Sequence, residues 1–108
     1  MTITIKSTVL GAPESRLTAD GGSVLIVALA GDAGWPFEVR VQFGAGLDAA
    51  VKAAHYARRI RPGDHVTVDA AGCSPRSDHG LAVNALRRVS WVQVRNATEC
   101  FVVPGLLR

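Results

Sequence analysis

Cysteine is scarce in this 108-residue chain, and no arrangement of side chains points to catalysis. Cys73 and Cys100 form no CxxC pair, which fits free thiols in a reducing compartment better than a structural disulfide. A zinc site from His65, Cys73 and His79 would require residues 73–80 to fold back on the preceding strand. The glycine-rich spots match neither a P-loop nor a dinucleotide fingerprint. We therefore expect no enzymatic activity, no cofactor and no metal site.

Long apolar runs are also absent. None approaches the roughly 20 residues that a membrane-spanning helix needs, and Met1–Lys6 alternates polar and apolar residues instead of resembling an export signal. We expect a cytoplasmic protein with no membrane partner. A composition of 48% hydrophobic and 19% charged residues predicts one folded domain over residues 1–108. Its apolar C-terminal extension, residues 96–108, is expected to pack on this domain or on a neighbouring subunit.

Lysine is missing from the second half of the chain, where arginine carries the positive charge. Residues 55–108 hold eight arginines against four acidic residues, whereas residues 1–54 hold four basic and five acidic residues. The planar guanidinium group of arginine binds phosphate and stacks on bases. The asymmetry therefore indicates nucleic acid as a candidate partner.

The hydrophobic pattern predicts an all-β chain with one helix. Strands are expected at Thr2–Val9, Val24–Ala30, Phe37–Phe43, His65–Ala71 and Leu81–Val94, the last with a bulge near Arg87 and Arg88. A short hairpin tip is expected at Cys73–Gly80. The helix follows Gly44–Gly46, ends at Pro62-Gly63 and has as apolar positions Leu47, Val51, Ala54 and Ile60. One helix between the third and fourth strands is the plan of the OB-fold, a five-stranded barrel.

Five segments in a fixed order carry a resemblance to a known family. They are Leu10–Arg16, Thr18–Gly21, Val27–Ala30, Val41–Gly44 and Arg59–Val68. Over residues 3–94 the chain resembles bacterial and phage single-stranded DNA-binding proteins. The resemblance implies a homo-oligomeric OB-fold, a dimer or tetramer, that binds single-stranded DNA with little sequence preference in replication, recombination or repair. Members usually end in an acidic tail and have aromatic residues in the long hairpin, and this sequence departs from both features.

Single-strand binding requires cations along the phosphates and flat side chains on which bases stack. The residues that we select for nucleic-acid binding are Arg16, Trp35, Phe37, Arg40, Arg76, Arg87, Arg88 and Trp91. Strict alternation in the third strand turns Phe37, Val39, Val41 and Phe43 inward and leaves Arg40 and Gln42 exposed, because burying the polar row would leave its groups unpaired. Phe37 is at the end of the strand, so both a core position and a base contact are open for it.

Several of these residues also have a structural alternative. Trp35 could close the end of the barrel, and Trp91, which alternates with Val89, fits the core better than a DNA contact. Arg76, Arg87 and Arg88 could be a solvated strand edge that resists aggregation. Three further arginines, Arg58, Arg59 and Arg61, are expected to act at the end of the helix or between subunits.

A second hypothesis belongs to a different class of protein. The missing acidic tail, the few exposed aromatic residues and the apolar segment Phe101–Leu107 favour an OB module that acts mainly through protein–protein contacts. Such a module would be similar to primosomal replication protein N and would bind replication proteins more strongly than DNA.

Overall fold

The structure, a computed structural model, describes residues 3–31, 37–78 and 81–105, with the backbone alone at 72–78, 81–85 and 87. These residues form seven strands and one helix: β1 (Ile3–Thr8), β2 (Glu14–Leu17), β3 (Gly22–Leu29), β4 (Phe37–Ala45), α1 (Leu47–Arg59), β5 (His65–Asp78), β6 (Leu81–Arg95) and β7 (Cys100–Pro104). The all-β prediction with a single helix is confirmed. The described strands number seven and not five, because β2 is a separate element and the C-terminal segment supplies β7.

The strands hydrogen-bond in the order β1-β5-β6-β4-β3-β2, and β7 pairs with β6. The ladder between β4 and β6 is parallel, with Glu38 opposite Ala85 and Val39 opposite Leu86. Every other ladder between the named strands is antiparallel. Just beyond β1, Val9 forms an isolated bridge with Leu29 of β3. The chain after β1 therefore also contacts β3, near the opposite end of the strand order.

Alternate residues of β4 form part of the core, whereas residues 23–27 of the neighbouring strand β3 are all buried. Val39 and Val41 are 1% and 0% exposed and lie opposite Val27 and Leu25 of β3. Phe37 and Phe43 of β4 are partly buried and pack against the same cluster. The predicted inward row of β4 is therefore confirmed, and Gln42 is exposed on the other side.

Helix α1 buries a different side from the predicted one. Leu47 and Val51 are 79% and 58% exposed, whereas Ala49 and Ala53 are buried. The helix contacts β2, β3 and β4, and the small alanine side chains allow its backbone to approach these strands closely. Hydrophobic periodicity places the largest apolar residues on the buried side of a helix, so it predicted the wrong buried side for α1. The prediction for Ile60 is confirmed, since this residue is 2% exposed.

The helix ends where the sequence predicts. Gly63 has a φ angle of 91°, in the left-handed region that favours glycine, and its N–H donates to the carbonyl of Val9 at 2.8 Å. The buried carboxylate of Asp64 accepts a hydrogen bond from the N–H of Arg61 at 3.0 Å, and the N–H of Val9 donates to the Asp64 carbonyl. The junction between α1 and β5 is thus anchored to the end of the first strand.

The hairpin of β5 and β6 is longer than predicted. Pairing extends from His65 opposite Arg95 to Asp78 opposite Leu81, so the backbone at 73–78 is strand and not a hairpin tip. The predicted bulge lies two residues beyond Arg88, where Ser90 is an extra residue of β6 facing the step from Asp69 to Ala70.

The C-terminal segment packs on the sheet as one of the two predicted arrangements. β7 pairs with residues 91–95 of β6, and Phe101 and Val103 are buried in the core while Val102 is exposed. The prediction for residues 106–108 lies outside the described residues.

Candidate nucleic-acid interface

Two outward surfaces of the strands carry polar and cationic side chains. The first, which we name the Arg40 face, contains the outward residues of β2, β3 and β4. Its register places Arg16, Val24 and Gln42 in one row across the strands, and Glu14, Ile26 and Arg40 in the next. Two of the predicted arginines therefore share one surface.

Both arginines on the Arg40 face have acidic neighbours. Arg16 donates to one carboxylate oxygen of Glu14 from Nε at 2.9 Å and from Nη2 at 2.6 Å, and its side chain is 54% exposed. Nη1 of Arg40 lies 3.9 Å from a carboxylate oxygen of Glu38, and the Arg40 side chain is only 20% exposed. The face thus presents partly neutralised cations, and Arg40 is less accessible than the sequence predicts.

The remaining predicted arginines lie on the hairpin of β5 and β6. In the parallel ladder with β4, Leu86 is the last paired residue of β6 and lies opposite Val39. The backbone of Arg87 follows Leu86 directly. Arg76 lies opposite Val83 in the same hairpin. Arg88 is exposed and has a φ angle of 53°. The side chains of Arg76 and Arg87, and all of Trp35, lie outside the described residues.

The two predicted aromatic residues that the structure describes face opposite ways. Phe37 lies opposite Leu29 and packs against the core, which favours a structural role. Trp91 is half-buried and lies opposite Asp69 and Pro104. The extra residue Ser90 reverses the alternation, so Trp91 points away from the core although Val89 points into it. The preferred core position for Trp91 was therefore wrong.

The second surface, which we name the Arg95 face, contains the outward residues of β1, β5, β6 and β7. It includes Trp91 and three residues that were not selected from the sequence: Lys6, His65 and Arg95. A depression of about 520 Å³ is lined by Lys6, Ser7, Thr8, His65, Val66, Thr67, Gln93 and Arg95. The signal was present as alternate polar positions in three strands, but only the pairing register brings them together.

Arg59, at the end of α1, has a structural partner as predicted. Its guanidinium donates two hydrogen bonds to Glu99, at 2.9 and 3.3 Å. These hydrogen bonds raise the pKa of Arg59 and lower the pKa of Glu99 from their ordinary values. Arg58 and Arg61 are exposed.

No protein-family model matches this chain, and a search of curated proteins finds no match. Among the residues at 3–31, 37–78 and 81–105, no group of three or more His, Cys, Asp or Glu side chains could hold a metal ion. In the same ranges, no helix is long and apolar enough to span a membrane.

Proposed function

We propose that the protein is an OB-fold that binds single-stranded DNA without sequence preference and without catalysis, in replication, recombination or repair. The observation that carries this proposal is the parallel pairing of β6 with β4. This pairing sets the hairpin that contains Arg76, Arg87 and Arg88 beside the strand that contains Arg40. Cations on adjacent strands can follow the phosphates of one nucleic-acid strand.

The strand connectivity supports the OB-fold as the scaffold. If β1 and β2 are two parts of one bent first strand, that strand pairs with β5 at its beginning and with β3 at its end. The bridge between Val9 and Leu29 lies where the chain would pass from one partner to the other. Such a double partnership of the first strand is what closure of a five-stranded barrel requires.

The existing ion pair of Arg16 does not prevent phosphate binding. The side chains of Arg16 and Glu14 are 54% and 59% exposed, and an ion pair this accessible contributes about 0–1 kcal/mol. A phosphate group can therefore replace Glu14 at little cost. The Arg40 side chain is more enclosed, so we expect Arg16 to contribute more to binding than Arg40 at this face. We also expect a contribution from the exposed Arg88 on β6, the strand that pairs with β4.

A fluorescence titration with labelled oligo-dT across a range of salt concentrations tests the proposal. We expect Arg16→Gln to lower the slope of log K against log salt by about 0.7, the value for one phosphate contact of a single strand. Arg58→Gln, an exposed arginine on α1, is the matched control and should bind like the wild type. If wild-type protein shows no salt-sensitive binding even at low ionic strength, the DNA-binding role is wrong.

We also propose that the protein is a homo-oligomer, a dimer or tetramer. Among the described residues, β1 pairs with β5 along its whole length, and on its other side only its last residue, Thr8, takes part in a backbone hydrogen bond, accepting from the N–H of Ala30 at 2.9 Å. The free edge of a strand can pair with a second copy of the chain. Sedimentation analysis should show an assembly larger than one chain, and a monomer at every concentration contradicts this part of the proposal.

A second candidate function is that of an OB module which acts mainly through contacts with replication proteins, similar to primosomal replication protein N. The exposed apolar residues Leu17, Leu47 and Val51 favour it, since α1 contacts β2. A pull-down with replication proteins after nuclease treatment distinguishes the two functions. This candidate is supported if the wild-type protein keeps its partners after nuclease treatment and the Leu47→Ser/Val51→Ser variant loses them. Loss of every partner upon nuclease treatment counts against it.

A further inference from the structure

The depression on the Arg95 face is built from residues of three adjacent strands. Thr8 lies opposite His65, which lies opposite Arg95. In the neighbouring row, Lys6 lies opposite Thr67, which lies opposite Gln93. These six outward side chains therefore form two short rows around one depression of about 520 Å³.

Every outward side chain in these rows can donate a hydrogen bond. Lys6 and Arg95 are positively charged, and the other side chains are two threonine hydroxyls, an imidazole and an amide. None of the described residues that line the depression has a carboxylate. Asp69, an acidic residue of β5 on this face, lies one row away and accepts a hydrogen bond from Thr4 at 3.2 Å. Gln93 already uses one donor, since Nε2 donates to the Sγ atom of Cys100 at 3.5 Å. A positive site at which every outward side chain has a donor fits an oxyanion, and lysine and arginine together fit a phosphate group.

Trp91 lies on the same face, four residues from Arg95 along β6. At about 3.3 Å per residue the two positions are about 13 Å apart. The half-buried indole has a partly exposed surface on which a base can stack. The Arg95 face therefore combines a phosphate site with an aromatic side chain, which is the pairing that single-strand recognition uses.

We propose that the Arg95 face is a second contact surface for single-stranded nucleic acid, with a backbone phosphate held by Lys6, His65 and Arg95 and a base stacked on Trp91. This inference rests on the proposed function and extends it to Lys6, His65 and Arg95, which the sequence analysis did not select. β6 connects the two surfaces, because its first half pairs with β4 and its second half forms the Arg95 face. One strand can follow β6 from the Arg40 face to the Arg95 face.

Two charge-matched double variants test the phosphate site. In Lys6→Gln/Arg95→Gln, the slope of log K against log salt for oligo-dT should fall by about 1.4, and affinity at about 50 mM salt should fall roughly tenfold or more. Lys52→Gln/Arg58→Gln removes the same charge from exposed positions on α1 and should leave both quantities unchanged. Equal losses in the two variants would overturn the inference, because they would report net charge and not a site.

The wild-type protein provides a second readout that needs no substitution. Cys100 is exposed and lies opposite Arg95 in the ladder between β6 and β7. Saturating oligo-dT should slow alkylation of Cys100 several-fold, as measured by peptide mass spectrometry. Full Cys100 reactivity in the bound protein contradicts the inference while leaving the proposed function intact. If the wild-type protein does not bind oligo-dT at all, both the inference and the proposed function are wrong.

Sedimentation of the same variants separates nucleic acid from a contact between copies of the chain. We expect the Lys6→Gln/Arg95→Gln variant to form an assembly of the same mass as the wild-type protein. A smaller assembly in that variant, together with unchanged affinity per chain, would assign the Arg95 face to a subunit interface and overturn the inference.

Discussion

Arg59 and Glu99 join helix α1 to the loop before β7 by a two-point contact. Nη2 and Nε of Arg59 lie 2.9 and 3.3 Å from the two carboxylate oxygens of Glu99. The guanidinium carbon also lies 3.8 Å from the centre of the Phe101 ring, which stacks on Tyr56 with a centroid distance of 6.2 Å. One side chain therefore connects the helix with both the loop and the aromatic end of the core.

The Arg59–Glu99 contact predicts that stability falls in acid. The hydrogen bonds from Arg59 hold the pKa of Glu99 below its ordinary value of 4.5. Since the folded-state pKa is lower than the unfolded one, the stabilisation is fully present above the unfolded pKa and is lost as pH falls through the folded pKa. Thermal unfolding midpoints should show this loss below about pH 4.5 in the wild type and a smaller loss in Glu99→Gln.

The matched control for this pH dependence is Glu14→Gln. Glu14 also pairs with an arginine, but the pair is more exposed, with side chains 59% and 54% exposed. We expect its acid profile to follow that of the wild type. If Glu99→Gln shows the wild-type acid profile as well, the Arg59–Glu99 contact does not contribute to stability.

Gly105 should tolerate no side chain. A Cβ atom at this position would lie 1.9 Å from the carbonyl oxygen of Val89, next to the bulge at Ser90, and the N–H of Gly105 donates to Ser90 at 3.0 Å. We expect Gly105→Ala to displace the end of β7 and to lower the free energy of unfolding by about 1–3 kcal/mol in denaturant titrations. Gly11→Ala is the control, because nothing lies within 4 Å of its Cβ position. Equal stability of the two variants would contradict the close approach of β7 to β6.

The Arg88→Gly variant should be more stable than the Arg88→Ala variant. Its φ angle of 53° lies in the left-handed region, which costs a residue with a side chain about 1–2 kcal/mol. Arg88→Gly should therefore exceed Arg88→Ala in stability by about 1 kcal/mol. Arg95 is an exposed position of the same strand, and there the alanine variant should be the more stable one, by about 0.5–1 kcal/mol in the free energy of unfolding. If the Arg88→Ala variant is as stable as Arg88→Gly or more stable, the backbone at Arg88 is not strained.

Ser23 should be replaceable by alanine with a gain in stability. Its hydroxyl is buried and has no hydrogen-bond partner among the described residues, and such a group loses its contact with water without compensation. We expect Ser23→Ala to raise the free energy of unfolding by about 1 kcal/mol. Ser7→Ala should act in the opposite direction, because the Ser7 hydroxyl donates to the carbonyl of Ala30 at 2.5 Å. Destabilisation of both variants would indicate that Ser23 has a partner after all.

The sequence by itself determined some of the local elements of this chain, among them β4 and the end of α1. Strict alternation in Phe37–Phe43 identified the inward side of β4, because a charged row in the core would lose its hydration without compensation. Pro62-Gly63 ended the helix, because proline cannot continue a helix and glycine accepts the left-handed conformation. The expected structural role of Arg59 likewise followed from its place at the helix end.

The tertiary structure alone decided which residues meet. The sequence predicts a bulge near Arg87 and Arg88, but only the pairing with β5 places the extra residue at Ser90, where it turns Trp91 outward. Close packing selected Ala49 and Ala53 over the larger Leu47 and Val51 for the buried side of α1. Lys6, His65 and Arg95 are distant in sequence, and only the pairing of β1, β5 and β6 sets them around one depression. Alternation reports which side a residue faces, whereas register between strands decides its neighbours.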